Sequence, residues 1–149
     1  DARLGEAGGL MGQILEVQPN QPIFEIIGVE MIHEVPSNIV QMYVRPDASD
    51  QLSALANQGD MPTIKEDGPE LLLQLTKEYG LFTVESNMTL EAVMADDWQA
   101  GLLEIPPKTP ILALSGVDLG LDRSPVAFSR TFCRSDQLQF SFRIHRDDI

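Results

Sequence analysis

The feature that most restricts the fold of this chain is a β-hairpin written twice. PIFEIIGVEMIHEVPSNIV, starting at Pro22, and PILALSGVDLGLDRSPVAF, starting at Pro110, share a proline, an apolar run, a polar turn and a second proline. Each also carries a Gly-Val-acid step, Gly28-Val29-Glu30 in the first and Gly116-Val117-Asp118 in the second. The offset is 88 residues at the first proline and 89 at the second. A period of this kind either marks two equivalent units in a pseudo-symmetric sheet or is a chance likeness between Val/Ile-rich hairpins.

Around the second copy the strand pattern is clear. Ile111 to Leu119 is almost continuously apolar, which predicts a strand covered on both faces. The next run alternates: Val126, Phe128, Arg130 and Phe132 point one way, Ala127, Ser129, Thr131 and Cys133 the other. The second set is small and partly hydroxylic, so it leaves room for a ligand cavity or for a closely packed helix. Beyond a turn at Arg134-Ser135-Asp136, Leu138, Phe140, Phe142 and Ile144 alternate with Gln139, Ser141, Arg143 and His145, which predicts a half-solvated antiparallel strand.

In the first copy, Ile23 to Ile32 reads as a long strand. The strand after it puts Val40, Met42 and Val44 on one face and Ile39, Gln41, Tyr43 and Arg45 on the other. Gln41 and Tyr43 then face either a cavity or solvent. Residues 1–12 are glycine-rich and read as a linker or tether, leaving residues 13–149 as a single domain; Gln13 to Val17 reads as an edge strand.

Asp47 to Asn57 predicts a short helix. Gly68-Pro69-Glu70 opens a second one that buries Leu71, Leu72 and Leu75 and stops at Tyr79-Gly80. Phe82 to Met94 reads as a strand, and Asp96 with Gln99 three residues on forms a capping box for a helix to Leu103. Strands, short helices and hairpins without regular β-α alternation predict an α+β domain with a mainly antiparallel sheet.

Several function classes are disfavoured. A net charge of −13 opposes direct grip on nucleic acid phosphates. No apolar run reaches the roughly 20 residues of a membrane span, and the single cysteine, Cys133, excludes an internal disulfide, which makes the cytoplasm the expected compartment. His33 and His145 stand apart, no metal cluster or cofactor motif is present, and Ser129 has no evident base, so neither cofactor nor metal is expected. The adjacent carboxylates Asp96-Asp97 and Asp147-Asp148 fit a helix start and a chain end better than acid–base catalysis. Met31, Met42, Met88 and Met94 are read as core or cavity lining.

KEYG before a long strand, then LEAVMADDWQAGLLEIPPKTPILALSGVDLGLDRSPVAFSRTFCRSDQLQFSF, resembles the UTRA effector-binding domain of GntR-superfamily regulators, HutC subfamily. The matching positions are Tyr79-Gly80, Ala95-Asp96, Ala100, Leu103, Pro106, Pro110, Pro125-Val126, Ser129, Arg134 and Asp136. The likeness is good from Gly68 to Phe142 and looser over residues 20–46. It implies a chorismate-lyase-like fold, a curved antiparallel sheet with helices closing a small-molecule cleft. It also implies homodimerisation, and DNA contact only through an N-terminal winged helix-turn-helix that these residues do not contain.

The departures bear on the ligand. Relatives that bind phosphorylated sugars often carry two arginines on the first hairpin, where Gly28 and Glu30 stand here. Glu70 follows Pro69 where a hydroxyl commonly opens the helix, Ala127 replaces a usual glutamate, and Cys133 replaces a frequent tyrosine. Candidate ligand residues are therefore Gly28, Glu30, Gln41, Tyr43, Glu70, Ala127, Ser129, Cys133 and Arg134, and the expected effector is not a phosphorylated sugar. Three functions remain at this level. The leading one is a dimeric sensor domain and the second a dimerisation module with a degenerate pocket. The third is a chorismate-lyase-like enzyme, for which only Arg134 and Glu91 offer chemistry.

Overall fold

The computed structural model describes residues 1–66 and 68–146, so the Asp147-Asp148 pair lies outside the described residues. Six strands, β1 (Ala2–Glu6), β2 (Pro22–Ile32), β3 (Val35–Val44), β4 (Glu85–Met94), β5 (Pro110–Leu119) and β6 (Pro125–Arg134), form one sheet. Their order is β1-β2-β3-β6-β5-β4 and every neighbouring pair is antiparallel. The helices are α1 (Gly8–Leu15), α2 (Asp50–Gln58), α3 (Gly68–Tyr79) and α4 (Asp97–Leu103), with a 3-10 turn at Pro46–Ala48. This is the α+β arrangement with an antiparallel sheet that the strand pattern predicts.

The repeated hairpins are β2–β3 and β5–β6, and the duplication extends beyond them. Each half of the chain runs strand, helix, hairpin: β1-α1-β2-β3, then β4-α4-β5-β6. The halves join where β3 pairs β6, with Val40 opposite Thr131, Gln41 opposite Arg130 and Met42 opposite Ser129. Gln41 and Arg130 are 89 residues apart, which is the repeat offset, and an Arg130 guanidinium N–H donates to Gln41 Oε1 at 2.8 Å. A pseudo-twofold axis therefore passes through this pair, because the offset and the pairing register interchange the same positions.

Period-two alternation divides the sheet into two faces, each packed in part by helices. On one, Phe24, Ile26, Met42, Val44 and Ala127 pack under Leu52 of α2 and Leu71 and Leu75 of α3. Ser49 caps α2 by accepting from the Leu52 N–H at 3.1 Å. On the other face α1 and α4 sit near opposite ends. Met11 and Leu15 bury Ile23, while Ala100 and Leu103 bury Ile39, Ile111 and Phe132. The predicted capping box at the start of α4 is present: Asp96 accepts from the Gln99 N–H at 2.7 Å and the Gln99 side chain accepts from the Asp96 N–H at 3.0 Å.

Four expectations are corrected. Residues 1–12 are not a tether: Ala2–Glu6 pairs with Pro22–Ile26, and α1 begins at Gly8. Ala7, Met11 and Leu15 form a buried stripe at helical spacing that the intervening glycines disguise. Gln13 to Leu15 accordingly ends a helix rather than forming an edge strand, with Glu16 in the left-handed region as its C-cap. The fourth strand starts at Glu85, not Phe82. Finally, Leu138 to Ile144 forms no strand; Phe142 and Ile144 are 82% and 83% exposed. Both edges of β6 are already taken, by β3 and β5, so the segment that follows cannot fold back onto it as a hairpin.

Candidate functional site

The α3 face of the sheet is only partly covered. Along successive cross-strand rows it presents Glu30, Asn38, Cys133 and Leu112, then Gly28, Val40, Thr131 and Leu114, then Ile26, Met42, Ser129 and Gly116. The last row and the one beyond it lie partly beneath α2 and α3, whereas Gly28, Ser129, Thr131, Leu112 and Leu114 remain half-buried. The prediction that β5 is covered on both faces is thus met only at one: Ile111 and Ala113 are buried by the α4 side, and Leu112 and Leu114 look onto the open part.

A cavity of about 190 Å³ opens at this edge, over Gly28 and Val40, walled by Ile64, Lys65, Glu66 and Leu71. Gln74 of α3 shapes the wall. Its Oε1 accepts from the Lys65 and Glu66 N–H groups at 3.0 and 3.1 Å, and its Nε2 donates to the Thr63 carbonyl at 2.7 Å. A Cβ built on Gly28 would meet nothing within 4 Å. At the equivalent position of the other half, a Cβ on Gly116 would lie 2.1 Å from Met88 Sδ and 2.7 Å from the Asn87 carbonyl. The duplicated glycine is therefore open in one half and plugged by a methionine in the other.

The charge around this cavity is acidic. Glu30 accepts from Asn38 Nδ2 at 2.7 Å, leaving Asn38 Oδ1 buried without a partner, and Glu66 lines the wall. Of the lining residues, Lys65 pairs with Glu78 at 3.1 Å, and the ammonium group of Asp1 donates to the Ile27 carbonyl at 2.8 Å. No arginine lines the cavity among the described residues. Burial, reinforced by Glu30, pushes the Cys133 thiol up to about 11, so it is a neutral, unreactive group at ordinary pH.

The sequence-predicted residues do not form one constellation. Gly28, Glu30, Ala127, Ser129 and Cys133 share the α3 face, with Ala127 fully buried beneath the core rather than lining the open part. Glu70 is exposed in the first turn of α3. Gln41, Tyr43 and Arg134 lie on the opposite face. Arg134 is held by Asp136 at 2.8 Å and donates to the Leu103 carbonyl at 3.4 Å, tying β6 to α4.

Gln41 and Tyr43 belong to a polar cluster beside a second hollow of about 420 Å³ lined by Arg3, Glu25, Met11 and Tyr43. Gln41 Nε2 donates to Glu25 Oε1 at 2.8 Å and to Tyr43 Oη at 2.6 Å, and Arg3 pairs with Glu25. Burial pushes the Glu25 carboxyl up, but the hydrogen bonds from Gln41 and Arg3 outweigh it and hold the group below its usual range. Burial, with the Glu25 charge, raises Tyr43. Arg130 lies between the rings of Phe128 and Phe132, 5.9 and 5.8 Å from their centroids. Sequence reading missed Glu25 because it sits inside an apolar strand; its only signal is a charged residue on the face that otherwise carries Ile23 and Ile27.

These features define a class: a six-stranded antiparallel α+β domain in which a helix and its preceding loop overhang a small cleft on one face of the sheet. The same fold is found in the C-terminal domain of the histidine utilization repressor from Pseudomonas syringae pv. tomato, with 18% identity, a TM-score of 0.79 and 98% and 95% of the two chains covered. It is also found in the effector domain of PhnF from Mycobacterium smegmatis, at 17% identity and a TM-score of 0.79 over 98% of this chain and 84% of that one. The C-terminal domain of YurK from Bacillus subtilis aligns at 13% identity and a TM-score of 0.77, covering 97% and 93%. No curated protein sequence gives a significant match.

The model of the UTRA domain matches residues 2–139, and the chain belongs to the UTRA family. The match begins within β1, in accord with residues 1–12 being part of the folded domain.

Proposed function

We propose that this chain is the sensing domain of a GntR-type transcription regulator, binding a small non-phosphorylated metabolite in the cleft between β2, the 63–66 loop and α3. The observation that carries this is the cavity over Gly28, which has no arginine among its lining residues and has Glu30 and Glu66 beside it. A phosphate would meet carboxylates there while the lining cations, Lys65 and the Asp1 ammonium, are engaged by Glu78 and the Ile27 carbonyl, whereas a neutral or cationic group would meet no such repulsion. The volume, below the roughly 300 Å³ of a drug-sized site, suits a small metabolite. In this reading the protein acts in the cytoplasm as a homodimer and performs no catalysis. The effector favours one arrangement of the two copies, and DNA is touched by a separate domain.

Thermal unfolding against sugar phosphates, amino acids and amines tests the proposal. A ligand of the folded state at 100-fold its Kd adds about 2.7 kcal/mol. Stabilisation by a neutral or cationic class, abolished by Gly28→Trp, is the expected result. A sugar phosphate that stabilises more than sulfate of equal ionic strength would overturn the charge argument. If no class stabilises a chain that is a tight dimer, a dimerisation module replaces the sensor.

A further inference from the structure

Arg3 lies opposite Glu25 where β1 pairs β2, and the repeat carries this pair onto Glu91 and Ala113, which face each other where β4 pairs β5. The two halves treat the inner position differently. Ala113 packs under α4 in an apolar cluster with Ile39, Leu103 and Phe132. Glu25 instead lines the 420 Å³ hollow beside α1, among the buried Met11 and Ile23 and the half-buried Tyr43.

A carboxylate 8% exposed on such a face pays for lost hydration, yet its surroundings keep it charged. Gln41 is the reason. Both hydrogens of its Nε2 are engaged, by Glu25 Oε1 at 2.8 Å and Tyr43 Oη at 2.6 Å, and its Oε1 accepts from Arg130 at 2.8 Å. Two oxygen acceptors are thus fixed side by side on the wall of the hollow. Both have capacity left, because a carboxylate accepts up to about four hydrogen bonds and a hydroxyl oxygen about two. The cation that answers Glu25 is Arg3 of the edge strand, whose side chain is 73% exposed and therefore an exchangeable partner. Glu6, also in the lining and exposed, adds a second negative charge that opposes an anion.

We propose that the hollow between β1, β2 and α1 is a second ligand site, which takes a primary ammonium group on a short apolar body. The ammonium displaces Arg3 and donates to Glu25 and Tyr43, while the body packs on Met11 and Ile23. At about 420 Å³ the hollow falls within the roughly 300–1,000 Å³ of small-molecule sites. This site goes beyond the sensing role proposed above and is independent of the cleft over Gly28, which opens on the other face of the sheet.

Calorimetric titration of the full chain with phenethylammonium chloride tests it, with phenylpropionate at equal ionic strength as the anionic counterpart. Saturable binding of the amine and none of the anion is expected. Glu25→Gln keeps the side chain's size and should weaken binding at least about tenfold, the loss of a charge-assisted bond. Arg3→Ala removes the competing cation and should tighten binding by up to about fivefold, the worth of an exposed ion pair. Gly28→Trp should leave it unchanged. Circular dichroism checks that each variant is folded; if Glu25→Gln is not, the Arg3→Ala titration decides. Binding that survives Glu25→Gln, or weakens in Arg3→Ala, would overturn the site, as would a folded chain that takes up no amine with or without Arg3. Binding lost in Gly28→Trp and kept in Glu25→Gln would also overturn it, by placing the amine in the effector cleft and leaving the sensing role intact.

Discussion

Alanine at Gly28 and at Gly116 should have opposite effects, although the two glycines occupy equivalent positions of the duplicated sheet. Glycine inside a strand costs roughly 0.5–1 kcal/mol relative to alanine through lost backbone entropy. Relief of that cost is common to both substitutions and cancels when they are compared. What differs is the space. The new Cβ at 28 meets nothing within 4 Å, whereas at 116 it falls 2.1 Å from Met88 Sδ and 2.7 Å from the Asn87 carbonyl. Met88 is 47% exposed and can swing aside, but the carbonyl belongs to the β4–β5 ladder and can move only by distorting it. Overpacking of this kind costs about 1–3 kcal/mol.

Gly28→Ala should therefore be neutral or stabilising by up to about 1 kcal/mol. Gly116→Ala should lie about 1–3 kcal/mol below it. With a urea m-value of about 2 kcal/mol/M, the two midpoints should be separated by about 0.5–1.5 M. Gly116→Ala combined with Met88→Ala should recover the part due to the sulfur and leave the part due to the carbonyl. Equal midpoints for the two single variants would refute the claim that one half of the sheet is open where the other is filled, and with it the physical basis of the cleft.

Two further outcomes follow from buried groups. Burial raises the Asp118 carboxyl above 3.8, against a hydrogen bond from Ser86 that lowers it. A raised carboxyl favours the folded state below the unfolded value and loses that contribution as pH climbs through the folded one. Asp118→Asn should thus raise the melting temperature at pH 7, by a margin that shrinks towards pH 3; a margin independent of pH would contradict the assignment. Cys133, 3% exposed and with its thiol pushed up to about 11, should resist a thiol reagent at pH 8 in the native protein and react promptly in urea. Prompt native labelling would mean that the β3–β6 seam opens there.

The hairpins, α3 and the capped α4 were legible because each carries a local signal. Prolines and alternation bound the strands, Tyr79-Gly80 ends α3, and Asp96 and Gln99 close the box on α4. The repeat points to a pseudo-symmetric sheet, and its offset reappears in the structure as the Gln41–Arg130 pairing. The first 15 residues were illegible because glycines at 5, 8, 9 and 12 outweigh a three-residue apolar stripe whose burial depends on Ile23. The candidate site residues divide between the two faces of the sheet for a similar reason. Alternation sorts residues onto two faces of a strand but does not say which face of β3 matches which face of β2. Gln41 and Tyr43 were thus grouped with Gly28 and Glu30, although the register puts Val40 opposite Gly28 and Asn38 opposite Glu30.

The seam between β3 and β6 also shapes the route by which this chain reaches its fold. Each hairpin closes a short loop: Ile32 meets Val35 across His33-Glu34, and Leu119 meets Pro125 across five residues. Such closures are fast and entropically cheap, but neither hairpin alone covers both of its faces. The Gln41–Arg130 contact spans 89 residues and becomes available only when both hairpins exist. Docking of two locally formed half-sheets is then the slow, cooperative event, and the chain has no native sheet until its second half has been made.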